Sequence, residues 1–204
     1  MRRFLINAKD LKSELTMNPS IRVINSTLAR PLFDMDHDAI YKNERIPKAS
    51  FLNIDKVTDH TQSVPHQVPT EEQFFKQMKK VDISHKDEIV LYDDHAVAGA
   101  ARMWWVFRTF GKKVHVLDGG LNAWKREDGV IETGEPRYKH RRALKDEDYK
   151  FTKAKERVFD FKDINALSYL IGKNKESENY EIVDARSSDR FYGRAPEPRR
   201  KSNF

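Results

Sequence analysis

The chain has 204 residues, of which 38% are hydrophobic and 34% charged, and its formal net charge is +6. No apolar run approaches the roughly 18 residues needed to span a bilayer, so the sequence predicts no transmembrane segment. There is no cysteine, which excludes disulfides, thiolate zinc sites and a cysteine nucleophile on these residues.

The first 25 residues predict a helix followed by a strand. Residues 8–16 have the pattern of a short helix, and the β-branched run Ile21–Ile24 is typical of a buried strand. Arg2 and Arg3 fit the remnant of a mitochondrial targeting segment, but the serine-rich, acid-poor length of a full one is missing. We therefore favour an ordinary helix pattern over a targeting segment here.

The stretch from residue 31 to residue 69 is the least regular part of the first half. Residues 31–45 are charged and predict no regular element. Pro47 permits an extended chain but no helix interior, so residues 46–54 are interpreted as a turn that leads into a short strand. A loop follows, and Thr70 is then predicted to cap a helix with Glu71 and Glu72 in its first turn.

Residues 88–124 are the most regular stretch and predict a βαβ unit. A buried strand at 89–92 is followed by polar residues, a helix that Gly111 closes and a second strand at 114–117. This order implies parallel strands and a right-handed crossover. The loop after such a strand can bind an anion through its N–H groups and the helix N-terminus. Residues 93–99 are therefore where we expect a chemical site in this half.

A basic segment and a second, incomplete pattern follow. Between Arg137 and Arg157 there are nine lysines and arginines against four acids. No nucleic-acid module accompanies them, which favours a solvated linker over nucleic-acid binding. A helix at 161–171 and a strand at 181–183 then repeat the opening pattern. We predict an α/β domain over residues 1–136, a basic linker over 137–157 and the start of a second copy over 158–204.

These stretches together resemble the tandem-rhodanese sulfurtransferases, and most of all their 3-mercaptopyruvate/thiosulfate branch. The resemblance is carried by IRVINS (21–26), PKASFLNID (47–55), the loop 66–69, VLYDD (90–94), RMWWVFRTFG (102–111), VLDGGLNAW (116–124) and IVDARSSDRFYGRAPEPR (182–199). It implies a rhodanese-like α/β domain of the non-catalytic type. Its mostly parallel central sheet is flanked by helices, and an incomplete second copy follows.

The resemblance also bears on activity. In that family the C-terminal domain supplies a cysteine at the head of a loop whose amides stabilise the thiolate, and the N-terminal domain lacks this nucleophile. Here Asp93 stands at the loop position of the first domain. A carboxylate cannot form a persulfide, so we predict no catalytic residue and an inactive homologue. No metal site and no cofactor are expected.

Some family positions that bind substrate are retained. Arg190 and Arg199 match positions that grip the substrate's anionic group, and His66 matches a first-domain histidine that faces the cleft. Surface arginines are common, so these sites are expected to be vestigial. Asn25 stands where the family usually has an aspartate that helps hold the loops.

Three functions remain open. The first is a structural or interaction subunit of a larger, mitochondrial assembly, in which other protein subunits cover apolar residues of the truncated second domain such as Phe161, Leu167, Tyr169 and Leu170. The second is a fragment or split half of an active sulfurtransferase whose cysteine lies on another chain. The third is an anion-binding or regulatory module using residues 93–99, which Asp93 and Asp94 oppose. The cytoplasm is the alternative location.

Overall fold

A computed structural model describes residues 4–28, 36–59, 61, 66–94, 97–136, 144–154, 158–172 and 181–196. The chain divides into two compact units, Met1–Val158 and Phe159–Phe204. Within the described ranges, no helix combines the length and the apolar character that crossing a membrane requires.

A parallel five-stranded sheet forms the centre of the first unit. Its strands are β1 (Leu5–Ile6), β2 (Ile21–Asn25), β3 (Ser50–Phe51), β4 (Glu88–Tyr92) and β5 (Val114–Leu117), in the spatial order β1-β5-β4-β2-β3. The central strand β4 pairs with β2 from Ile21↔Glu88 to Asn25↔Tyr92 and with β5 on its other side. The predicted α/β fold with a mostly parallel sheet is confirmed.

Helices cover both faces of this sheet. They are α1 (Ala8–Met17), α2 (His37–Asn43), α3 (Glu71–Lys80), α4 (Ala98–Thr109) and α5 (Gly120–Arg126). Alternate residues of β4 face opposite sides, as a strand requires. Ile89 and Leu91 belong to the core under α3 and α4, whereas Val90 and Tyr92 belong to the core under α1 and α5. The predicted Thr70 cap of α3 is present, with Gln73 completing a capping box.

Two elements of the first unit differ from the sequence prediction. The strand β1 was not expected, because its two residues carry no pattern of their own; it is a strand through its pairing of Leu5 with Val116. The helix α2 lies inside the stretch predicted to be irregular. Its Tyr41 is buried and its hydroxyl donates a hydrogen bond to the carbonyl of Ala49, so a tertiary contact stabilises a helix that has little apolar periodicity.

The described part of the predicted linker packs on the first unit. The Tyr149 side chain is buried, its ring lies edge-on to Phe75 at 5.7 Å, and the Phe151 ring lies edge-on to Phe74 at 5.0 Å. These aromatic contacts contradict the expectation that the linker is solvated, as far as residues 144–154 are concerned. The domain bounds at residues 136 and 158 stay a prediction.

The second unit contains α6 (Phe161–Gly172) and α7 (Ser188–Phe191). The helix predicted at 161–171 is present, but the strand predicted at 181–183 is not, because none of the described residues pairs with this segment. No residue of α6 is buried. Phe161 is 84% exposed and Val183 is 77% exposed. Of the four apolar residues expected to be exposed, Leu167 is half-buried and the other three are exposed.

Candidate functional site

The loop between β4 and α4 is organised by the buried carboxylate of Asp93. Its Oδ2 accepts a hydrogen bond from the backbone N–H of Ala100 at 3.0 Å, and its backbone carbonyl accepts one from Leu121 at 3.0 Å. Val97 occupies the N-cap position of α4 and has no side-chain oxygen to cap the helix. Asp93 therefore supplies the acceptor, and the negative charge, that a helix N-terminus favours.

Two glycines let the backbone close around Asp93. A Cβ at Gly99 would lie 2.0 Å from the carbonyl oxygen of Ser26 and 2.8 Å from Asp93 Oδ1. Gly120 has φ +56°, and a Cβ there would lie 2.4 Å from the carbonyl oxygen of Asp93. Larger residues would separate the elements that meet at this edge of the sheet.

Asp94 is the second buried carboxylate of the site, and it joins β4 to β2. The Nδ2 of Asn25 donates to Asp94 Oδ1 at 3.0 Å, and the backbone N–H of Asp94 donates to Thr27 Oγ1 at 3.0 Å. Desolvation by burial raises the pKa of Asp94 to about 6, although the hydrogen bond from Asn25 acts in the opposite direction. An aspartate at position 25 would place two carboxylates together, whereas asparagine donates to Asp94.

The raised pKa of Asp94 predicts a pH dependence of stability. Because its pKa is higher in the folded than in the unfolded chain, the folded state holds more protons between pH 4 and 6. The stabilisation is complete below about pH 4 and is lost as the pH rises through 6, by about 2–3 kcal/mol. Urea unfolding of Asp94→Asn should lack this part of the slope. The exposed Asp118→Asn is the matched control, and identical slopes for Asp94→Asn and the wild type would contradict the prediction.

A pocket of about 270 Å³ opens beside this loop. Its lining consists of Asp93, Asp94, Val97, Ala100, Val116, Leu117, Gly119, Gly120 and Asn122. Two of these residues are acids and none is a lysine or arginine, so the lining disfavours an anionic ligand. In the described part of the chain, no group of three or more His, Asp or Glu residues could hold a metal ion.

His66 is not among the residues that line this pocket. Its Nδ1 lies 3.4 Å from Asp55 Oδ1, and its backbone has φ 60°, in the left-handed region. The Arg102 guanidinium donates to the carbonyl of His66, and burial lowers the pKa of Arg102. These contacts tie the loop to α4, and the cleft-facing role of His66 stays a prediction.

The two predicted substrate arginines belong to the second unit. Arg190 lies in α7 and is half-buried. Hydrogen bonds from Arg186 lower the pKa of Asp184 most, and the positive charge of Arg190 lowers it slightly further. Arg199 lies outside the described residues, so the vestigial anion site at Arg190 and Arg199 stays a prediction.

Comparison with known proteins identifies the family. Residues 9–127 match the model of the rhodanese-like domain. The chain belongs to the rhodanese-like family. The rhodanese-like chain is 32% identical over 199 residues to thiosulfate/3-mercaptopyruvate sulfurtransferase 1, mitochondrial, of Arabidopsis thaliana, with 89% of this chain and 50% of the relative covered.

Two solved structures are similar to it. The crystal structure of the Escherichia coli 3-mercaptopyruvate sulfurtransferase SseA has a TM-score of 0.79 and 29% identity, covering 97% of this chain and 71% of that one. The sub-stoichiometric sulfur transferase subunit of yeast mitochondrial complex I has a TM-score of 0.68 and 27% identity, covering 81% and 57%. The rhodanese-like chain spans half the length of the Arabidopsis relative.

The sequence predicts the Asp93 loop as the candidate site, but it does not predict the residues that hold this loop in place. The Asn25–Asp94 hydrogen bond joins residues 69 positions apart, and only the register of β2 against β4 places them together. Gly99 carries a weak signal, because a glycine in the first turn of a helix is unfavourable unless another group comes close.

Proposed function

We propose that this rhodanese-like chain is a sulfurtransferase-derived protein that does not itself transfer sulfur and serves as a structural or interaction subunit of a larger mitochondrial assembly. The observation that carries the proposal is the hydrogen bond from the Ala100 N–H to Asp93. A carboxylate of the chain accepts a helix N-terminal N–H group at the loop position where, in the family's catalytic domain, such groups stabilise the thiolate.

The chemistry of sulfur transfer supports the inactive assignment. A persulfide forms when a thiolate attacks a sulfur donor, and a carboxylate cannot take that role. None of the 204 residues is a cysteine. Asp93 and Asp94 also place two carboxylates beside the pocket, which opposes binding of the anionic thiosulfate or 3-mercaptopyruvate.

The role of Asp93 predicts that an added anion can replace its carboxylate. We expect Asp93→Ala to lower the free energy of unfolding by about 1–2 kcal/mol, because the Ala100 N–H loses its acceptor. Sodium thiosulfate should restore part of the melting temperature of this variant relative to sodium chloride of equal ionic strength. Because sulfate-like anions stabilise folded proteins generally, wild type and Asp118→Ala, which removes a nearby exposed carboxylate, should show a smaller increase. A thiosulfate effect of equal size in the wild type would contradict a carboxylate-occupied loop.

Two observations support membership of an assembly in mitochondria. The yeast neighbour is a subunit of mitochondrial complex I, and the Arabidopsis relative is named mitochondrial. The second unit exposes large apolar side chains, including Phe161 and Val183, and such surface is typical of interfaces. Respiratory complex I is therefore the first assembly to test.

Native electrophoresis of mitochondria that contain the tagged chain tests this role. We expect co-migration with complex I, loss of co-migration for Phe161→Ser and no loss for its neighbour Lys162→Ser. Migration of all the wild-type chain as a free protein would refute the assembly role. Sulfur transfer to cyanide by the purified chain, from thiosulfate or 3-mercaptopyruvate, would refute inactivity.

A second candidate is one half of an active sulfurtransferase whose cysteine lies on another polypeptide. The match to half of the Arabidopsis relative and the retained Arg190 and Arg199 favour it. Purification under native conditions should then yield a cysteine-bearing companion, and the pair should transfer sulfur. Arg190→Ala should abolish that transfer, whereas under the first candidate there is no transfer for it to abolish.

A further inference from the structure

A larger groove lies at the amino end of β2 and shares no lining residue with the Asp93 pocket. Its volume is about 590 Å³, within the range of roughly 300–1,000 Å³ typical of small-molecule sites. The lining consists of Lys12, Leu15, Asn18, Pro19, Ile21, Arg22, Val23, Pro47, Lys48, Trp124 and Val130. It thus lies where α1 ends and where the chain enters β2 and β3.

The floor of this groove is apolar. Ile21, Val23 and Trp124 belong to the core under α1 and α5 and are buried. Trp124 Nε1 donates to the carbonyl of Val130 at 2.9 Å, so its polar atom is already satisfied. Leu15 and Val130 are exposed at the mouth, Val130 by 71%. An apolar ligand body would remove this surface from water.

The rim of the groove is cationic. Lys12, Arg22 and Lys48 line it, and none of its eleven lining residues is an acid. Lys12 Nζ donates to the backbone carbonyl of Glu127 at 2.7 Å, a contact that orients the ammonium group without cancelling its charge. Arg22 donates to two backbone carbonyls and lies 3.5 Å from Asp87, so part of its charge is balanced.

The backbone of Lys48 belongs to a turn beside the groove. Its φ is 60°, in the left-handed region that residues other than glycine rarely adopt. The Ala49 N–H donates to the Ile46 carbonyl at 3.1 Å, and Pro47 precedes Lys48, which is the pattern of a type II turn. This turn holds the Lys48 backbone at the rim of the groove.

We propose that this groove binds a small organic monocarboxylate with an apolar body, of the class of medium-chain fatty acids. The apolar floor accounts for the body, and the lysines of the rim account for the carboxylate, since charge-assisted hydrogen bonds are the strong ones. An inorganic anion would leave the floor in water, and a neutral hydrocarbon would not use the lysines.

Titration of the 15N-labelled chain with sodium octanoate tests the site. The indole N–H resonance of Trp124, assigned with Trp124→Phe, should shift saturably. Octanol, which has the same chain length and no charge, should bind at least 10-fold more weakly. Equal affinity for octanol and octanoate would overturn the proposal, as would a shift that does not saturate. This comparison uses the wild-type chain and needs no variant to fold.

Variants then test whether the lysines of the rim bind the carboxylate of octanoate. Lys12→Gln combined with Lys48→Gln should weaken octanoate binding at least 10-fold while leaving octanol binding unchanged. Lys9→Gln removes an exposed lysine of the same helix outside the groove and should change neither. Unchanged octanoate affinity in a folded double variant would overturn the assignment; if that variant does not fold, Lys48→Gln alone decides it by the same criterion.

Discussion

Replacing Gly99 by alanine is expected to lower the free energy of unfolding by about 3 kcal/mol, at the upper end of what overpacking usually costs. The added Cβ would lie 2.0 Å from the backbone carbonyl oxygen of Ser26 and 2.9 Å from the backbone nitrogen of Leu28. Backbone atoms cannot turn away as a flexible side chain can. The first turn of α4 must therefore move away from the end of β2, and the hydrogen bond between Ala100 and Asp93 is stretched.

Urea unfolding of Gly99→Ala, followed by far-ultraviolet circular dichroism, measures this loss. Ala101→Ser is the matched control, because it adds one atom to the exposed side of the same helix and should change stability by less than 0.5 kcal/mol. A Gly99→Ala protein as stable as the control would show that α4 does not approach β2 as closely as described.

The sequence predicts the parts of this fold whose signal is local. The strands β2, β4 and β5 are short runs of β-branched and aromatic residues between polar loops, and α3 has its own cap at Thr70. By contrast, β1 and α2 depend on partners far along the chain. Leu5 is part of a strand because it pairs with Val116. The helix α2 is held in place by the hydrogen bond that the Tyr41 hydroxyl donates to the carbonyl of Ala49.

The same distinction applies to the site. Asp93 could be predicted because it directly follows a strand and precedes a helix. Its acceptor role for Ala100 could not, since the loop between them has no side-chain pattern that specifies it. The raised pKa of Asp94 depends on desolvation by surrounding elements, and its hydrogen bond from Asn25 crosses two neighbouring strands. No local sequence pattern indicates the raised pKa or the hydrogen bond.

The error at residues 181–183 has the same physical origin. Ile182 and Val183 have the composition of a buried strand, yet they are 46% and 77% exposed. β-propensity describes a fit to a half-buried pleated surface rather than a preference of the isolated backbone. Without a hydrogen-bonded neighbour among the described residues, these apolar residues are extended chain and not strand.

The buried guanidinium of Arg45 supports a second prediction of large effect. Arg45 is 1% exposed; its Nη1 donates to the carbonyl of Gly134 at 2.6 Å, and its Nη2 forms an ion pair with Glu132 at 3.0 Å. It also lies over the Tyr41 ring at 5.0 Å. One side chain thus joins the end of α2 to the segment that follows α5.

Arg45→Met should lower the free energy of unfolding by about 3–5 kcal/mol, because it removes one partner of a largely buried ion pair. Adding Glu132→Gln should recover at least about 1 kcal/mol, since it removes the other charge of that pair. Arg126→Met, at an exposed arginine of α5, is the matched control and should cost less than 0.5 kcal/mol. Urea unfolding of the four proteins gives these values, and a cost for Arg45→Met equal to that of Arg126→Met would contradict the prediction.

Tyr41 gives an independent readout of the same cation. Burial raises the pKa of Tyr41 to about 12, and the positive charge of Arg45 opposes part of that rise. Removing the guanidinium should therefore raise the pKa further, which ultraviolet titration of tyrosinate formation measures against the Arg126→Met protein. A lower pKa in Arg45→Met would mean that the Tyr41 hydroxyl has become exposed. That result would locate the loss of stability in the opening of α2 rather than in the loss of the ion pair between Arg45 and Glu132.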